Sequence, residues 1–141
     1  MRRIILIVLM VGSSCLGACQ KSLPPLVRGA TSGGGGVGYD CQFGSAPASN
    51  PKYAQSPEMV ERLRHSFPPG SPSDQLRLSL AQQGFTLEGP CPEVPGQAVD
   101  PRVRWAQFRR NRNEVVANVY WREGPDGRII WTFGEVFYTF L

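Results

Sequence analysis

The sequence predicts an α+β domain: two short helices packed on a three-stranded antiparallel meander, in the order αα-βββ. Three observations carry this prediction. Apolar residues recur at helical spacing twice between residues 56 and 85, each time after a Ser-Pro start signal. From residue 102 the apolar period changes to two and the residues become β-branched and aromatic. Short turn sequences then separate the strand-like runs, which favours neighbouring antiparallel strands.

Each element has a local reason. Ser56-Pro57-Glu58 reads as an N-cap, a Pro at the first helical position and an acid in the first turn. Met59, Val60, Leu63 and Phe67 then share one face, and Pro68-Pro69-Gly70 ends the helix. Ser71-Pro72-Ser73-Asp74 repeats the start signal, with Asp74 placed as in a capping box. Leu76 and Leu80 make the apolar side of the second helix, with Gly84 as a left-handed stop and Phe85 folding back on the last turn. Residues 89–101 read as a Pro/Gly-rich connection. Residues 102–110 form the first expected strand and Asn111-Arg112-Asn113 a turn. Residues 114–121 (EVVANVYW) form the second strand, Gly124-Pro125-Asp126-Gly127 a hairpin turn, and residues 128–140 a long third strand with a bulge expected at Gly134.

The N-terminal segment is distinct. Arg2 and Arg3 precede eight apolar residues, Ile4 to Val11, followed by Gly12-Ser13-Ser14 and by Leu16-Gly17-Ala18-Cys19. The apolar run is too short to span a bilayer, which takes about 20 residues. The segment resembles a bacterial lipoprotein signal with its lipobox. That resemblance implies a signal peptide over 1–18, lipidation of Cys19, and a mature chain held at the membrane by acyl chains. Gln20, where Asp would retain an enteric lipoprotein in the inner membrane, implies the outer membrane, with the domain facing the periplasm. Removal of Arg2 and Arg3 leaves 13 basic against 11 acidic residues. The mature charge is then close to neutral and gives no electrostatic case for nucleic acid.

Residues 19–55 read as a flexible Gly/Pro/Ser-rich tether, and residues 56–141 as the domain. Gly33 to Gly36 sit in this tether, with no strand before them and no Lys-Ser/Thr after, so linker outweighs phosphate loop. Of the four cysteines, Cys15 leaves with the signal and Cys19 is acylated. Cys41 and Cys91 remain in an oxidising compartment, where a disulfide is the default; with no CxxC and a single His, no metal site and no cofactor are expected.

No catalytic set stands out. His65 lies beside the apolar face of the first helix, Asp126 is explained by turn chemistry, and Asp100 and Glu135 have no partner that spacing identifies. The strands carry a dense aromatic set interleaved with arginines. Half of these side chains face the helices, and the other half would lie on a solvent-facing sheet surface. Trp105, Tyr120, Trp131, Arg104 and Arg110 are the candidates for a partner surface, because aromatic residues and Arg are enriched at protein interfaces. A solvated, edge-protecting surface is the bland alternative for the arginines.

The order of features resembles the SmpA/OmlA group of small outer-membrane lipoproteins with the BamE-like fold. It rests on a lipidated Cys, a helix pair containing Gly70-Ser71-Pro72-Ser73-Asp74-Gln75-Leu76 and Leu80, and a meander with Asp126-Gly127-Arg128 in its last turn, over about residues 56–137. The second helix closes on Leu80-Ala81-Gln82-Gln83-Gly84-Phe85 where the group shows Leu-Gly-x-Pro. The resemblance implies docking on other envelope proteins and not catalysis. The expected function is therefore a lipid-anchored periplasmic protein-binding domain, an envelope scaffold or assembly accessory. The alternatives are an inhibitor or immunity lipoprotein that blocks a periplasmic hydrolase, and a small hydrolase or ligand-binding lipoprotein.

Overall fold

The computed structural model describes residues 22–32, 55–91, 95, 100–110 and 114–138. Helices α1 (Pro57–Ser66) and α2 (Ser73–Gln82) precede strands β1 (Thr86–Pro90), β2 (Val103–Arg110), β3 (Val115–Glu123) and β4 (Ile129–Tyr138). The strands form one antiparallel sheet in the order β1-β2-β3-β4.

The fold is α+β with four strands, which corrects the three-stranded prediction. The missed strand is β1, inside and just before the stretch read as a connection. Its sequence, Thr-Leu-Glu-Gly-Pro, ends in two residues depleted from strands. Both are tolerated because β1 is an edge strand. Pro90 has no N–H to donate to a further neighbour, and Gly89 adopts φ +83° where the register shifts between Leu87 and Gly89.

The second helix ends as its sequence predicts. Gly84 is left-handed (φ +84°), its N–H donates to Ala81 O, and the Phe85 N–H reaches back to Leu80 O. Those two bonds define a Schellman motif, and Phe85 and Leu80 meet in the core. The helix starts differ from expectation. Ser56 and Pro72 occupy the N-cap positions and neither makes a side-chain cap. Ser56 is instead fully buried, its N–H donating to Gly134 O on β4.

Gly134 is not a bulge. It pairs in regular register with Val119, and the β3–β4 irregularity lies between Arg122 and Glu123. A Cβ at Gly134 would stand 3.0 Å from Met59 Cβ and 3.2 Å from Leu63 Cδ1. The glycine is there so that α1 can approach β4. The inter-helix turn is locked to the β3–β4 hairpin: Gly70 N–H donates to Ile129 O, Ile129 N–H to Ser71 O, Ser73 N–H to Gly127 O, and Arg128 Nη1 to Gly70 O at 2.6 Å. The two halves of the motif on which the resemblance rests are therefore in contact.

Residues 23–31 lie within the stretch read as tether and are part of the core. Pro24 starts a single helical turn, with the N–H groups of Val27 and Arg28 both donating to Pro24 O. Leu26, Val27 and Ala30 are buried in one cluster with α1, α2 and the central-strand residues Ala106, Ala117 and Val119. This clasp bridges the helices. Gln83 Oε1 accepts from Leu26 N–H at 3.0 Å, and Arg62 Nη1 donates to Leu26 O at 2.9 Å. Since α1 packs on β4 and α2 on β1, the clasp is a third piece of the cover layer. Of the rest of the expected tether, residues 19–21 and 33–54 lie outside the described residues, as does the turn at 111–113.

Candidate functional site

Strand alternation divides the sheet into two buried layers. Ala106, Phe108, Ala117, Val119, Trp121, Val136 and Tyr138 face the helices and clasp. Val103, Trp105, Tyr120, Trp131 and Phe133 face the opposite way and form a second cluster with Cys91. The expected solvent-facing aromatic surface is thus narrowed to Trp105 and Trp131, which keep partial exposure, while Tyr120 is buried. Phe133 and Val103 have no exposed area, and Tyr120 is 4% exposed.

The five expected partner-surface residues do not meet on one face. Trp105 and Trp131 are half-buried at the outside of the second cluster, on either side of Tyr120. The Trp105 and Tyr120 rings stack, with centroids 6.1 Å apart and planes 14° from parallel, and Tyr120 meets Phe133 at 6.1 Å. Arg104 is on the other face, its Nε 3.5 Å from Glu123 Oε2, and Arg110 shares that face by alternation. Among the described strand residues, Arg122 and the exposed Arg109 are the arginines on the aromatic face. Arg122 Nε stands 2.6 Å from Asp100 Oδ2. Burial pushes the Asp100 carboxyl up, but the Arg102 backbone N–H and the Arg122 guanidinium outweigh it and hold it below its ordinary value.

A polar ladder crosses the same face beside the aromatics. Gln107, Asn118 and Glu135 are direct cross-strand neighbours on β2, β3 and β4. Gln107 Nε2 donates to Asn118 Oδ1 at 2.8 Å, Asn118 Nδ2 donates to Glu135 Oε1 at 2.8 Å, and the Tyr120 hydroxyl donates to the same oxygen at 3.3 Å. Arg109 Nε hydrogen-bonds Gln107 Oε1 at the outer end. Glu135 is 1% exposed. Spacing alone identifies no partner for it, because the register places those partners 15 and 17 residues away. The available signal was Asn118, a polar residue in the middle of an otherwise β-branched and aromatic strand. One-residue slippage would throw this ladder onto the helix side, so it fixes register as well as surface.

Cys91 is buried beside Val103 at the end of β1 and is disulfide-bonded. Cys19 and Cys41 lie outside the described residues. His65 is exposed at the C-terminal turn of α1. Among the described residues, no group of three or more His, Cys, Asp or Glu could hold a metal ion. The depression beside the hairpin turn, about 640 Å³, has Asp126 as the one carboxylate in its wall.

The helix side carries its own polar cluster. Glu58 accepts from the Thr31 N–H at 3.0 Å and from the Thr31 and Ser56 hydroxyls. The Thr31 backbone bond, with Glu58's own N–H at the start of α1, brings its carboxyl down to about 2. The Tyr138 hydroxyl donates to Ala30 O at 2.6 Å; burial, then the nearby Glu58 charge, raise its pKa.

No helix among the described residues is long and apolar enough to cross a membrane. No known protein family, curated protein or solved structure matches this chain.

Proposed function

We propose that this chain is a lipid-anchored protein-binding domain of the bacterial envelope, without catalytic activity, that engages its partner through the sheet face opposite the helices. The signal-like N-terminus ending at Cys19 supports the address, and the resemblance to the SmpA/OmlA group supports an envelope scaffold or assembly role. One observation carries the choice of surface. Trp105 and Trp131 are partly exposed on an aromatic floor of Tyr120 and Phe133, and Arg109 is exposed farther along the same face of β2, beyond Gln107. Aromatic side chains already immobilised by packing bind with little further loss of rotamer freedom, and Trp and Arg dominate interface hot spots. Arg104 and Arg110 are dropped from this surface because they lie on the helix side. We assign Cys41 as the disulfide partner of Cys91, which ties the end of β1 to the residues that follow the clasp.

Purification of the native lipoprotein from detergent-solubilised envelope tests this reading. A defined envelope protein should co-purify, and Trp105→Ala should weaken its binding at least about tenfold while leaving the fold intact. Equal recovery with Trp105→Ala and Trp131→Ala would reject this face as the surface.

A further inference from the structure

We infer that the helix-and-clasp layer lies against the lipid headgroups, so that the anchor mounts the domain directly on the membrane and turns the aromatic sheet face away from it. This rests on the reading of Cys19 as the lipidated residue. Three peptide steps separate Cys19 from Ser22, which spans at most about 11 Å. The clasp begins at the next residue, Leu23, whose carbonyl accepts from Arg28 Nε and Nη2. From there the chain is fixed to both helices through Leu26, to β4 through Ala30 and to the start of α1 through Thr31. Val27 has no exposed area. A flexible tether of about 35 residues would let the domain reach roughly 30–35 Å from its lipid. The clasp removes that freedom, because its burial fixes the chain before the Gly-rich run begins.

The chemistry of the layer suits headgroups. Leu78 is 61% exposed, the most exposed large apolar side chain among the described residues, and stands two positions from Leu76 and Leu80, on the side of α2 away from the core. Arg28 and Arg64 are exposed and Arg62 is half-buried on the same layer, with Lys21 just before the clasp; Glu61 is the exposed counter-charge on α1. On α2 itself Leu78 follows the exposed Arg77–Asp74 ion pair, so the layer exposes three arginines (Arg28, Arg64, Arg77) against two acids (Glu61, Asp74). An exposed leucine on such a layer suits a phospholipid interface, where apolar groups enter the headgroup boundary and cations meet phosphate.

The test uses the natively lipidated protein in vesicles of phosphatidylethanolamine and phosphatidylglycerol that carry a headgroup quencher. A fluorophore is attached at Gln82→Cys on α2 or at Arg109→Cys on the sheet face. The helix-layer probe should be quenched roughly threefold or more over the sheet probe, as expected for a group held at the headgroup boundary. A twelve-residue Gly-Ser insertion between Lys21 and Ser22 keeps the clasp and should bring the two probes to equal quenching with unchanged thermal stability. Equal quenching in the uninserted protein, or stronger quenching at position 109, overturns the orientation while the anchor stands. Intact mass of the protein reads the anchor separately. An unmodified Cys19 refutes the lipid reading and the orientation with it.

Discussion

Single residues decide whether the N-terminal segment belongs to the domain. Leu26 and Val27 were hidden in the sequence because their two apolar side chains were averaged into a Gly/Pro/Ser-rich stretch and flanked by prolines too close for a helix pattern. The structure gives them a core environment, and this predicts that Leu26→Ala costs about 2–5 kcal/mol in chemical denaturation, the range for a buried leucine. A residue in a free tether would change stability by under about 0.5 kcal/mol.

Glu58 adds a pH dependence to the same contact. Its carboxyl is depressed in the folded protein, from 4.5 to about 2. The stabilisation is therefore complete above about 4.5 and is lost as pH falls through about 2. Hydrogen exchange at the Thr31 amide should lose protection across that window, and Glu58→Gln should abolish the pH dependence. Glu135 was legible only as a lone acid, because its partners are set by cross-strand register and not by spacing.

Among the elements, the helices and the three strands from residue 103 onward were legible from period and turn chemistry. The Gly84-Phe85 stop and the Asp126-Gly127 turn carry strong local signals, and the structure realises both. Strand β1 was not legible, because an edge strand may end in Gly-Pro where a central strand cannot. Gly134 was read as a bulge from its residue type, although its reason is the facing helix, which the sequence of β4 does not contain. Gly134→Ala should accordingly destabilise by about 1–3 kcal/mol through crowding against Met59 and Leu63. Leu63→Ala removes the Cδ1 that stands 3.2 Å away, whereas Met59→Ala keeps the Cβ at 3.0 Å, so a double-mutant cycle should show favourable coupling of Gly134→Ala with Leu63→Ala.

For the whole molecule, two layers of buried side chains and the clasp imply one domain with two different faces. One face is the helix-and-clasp layer, which the proposed orientation sets against the membrane, and the other carries Trp105, Trp131 and the Glu135 ladder. The assigned Cys41–Cys91 bond would close a loop of about 50 residues and contribute about 4 kcal/mol in the chain-entropy account. Reduction should lower the thermal midpoint, and non-reducing peptide mapping should recover the 41–91 pair. Recovery of Cys41 as a free thiol would remove that assignment.

The partner face is the central claim, and photo-cross-linking in living cells tests it most directly. A photoreactive residue placed at Arg109 on the sheet face should yield an adduct with one defined envelope protein, and the same probe at Gln82 on α2 should yield none with that protein. An adduct confined to position 82, or no protein adduct at position 109, would contradict the account.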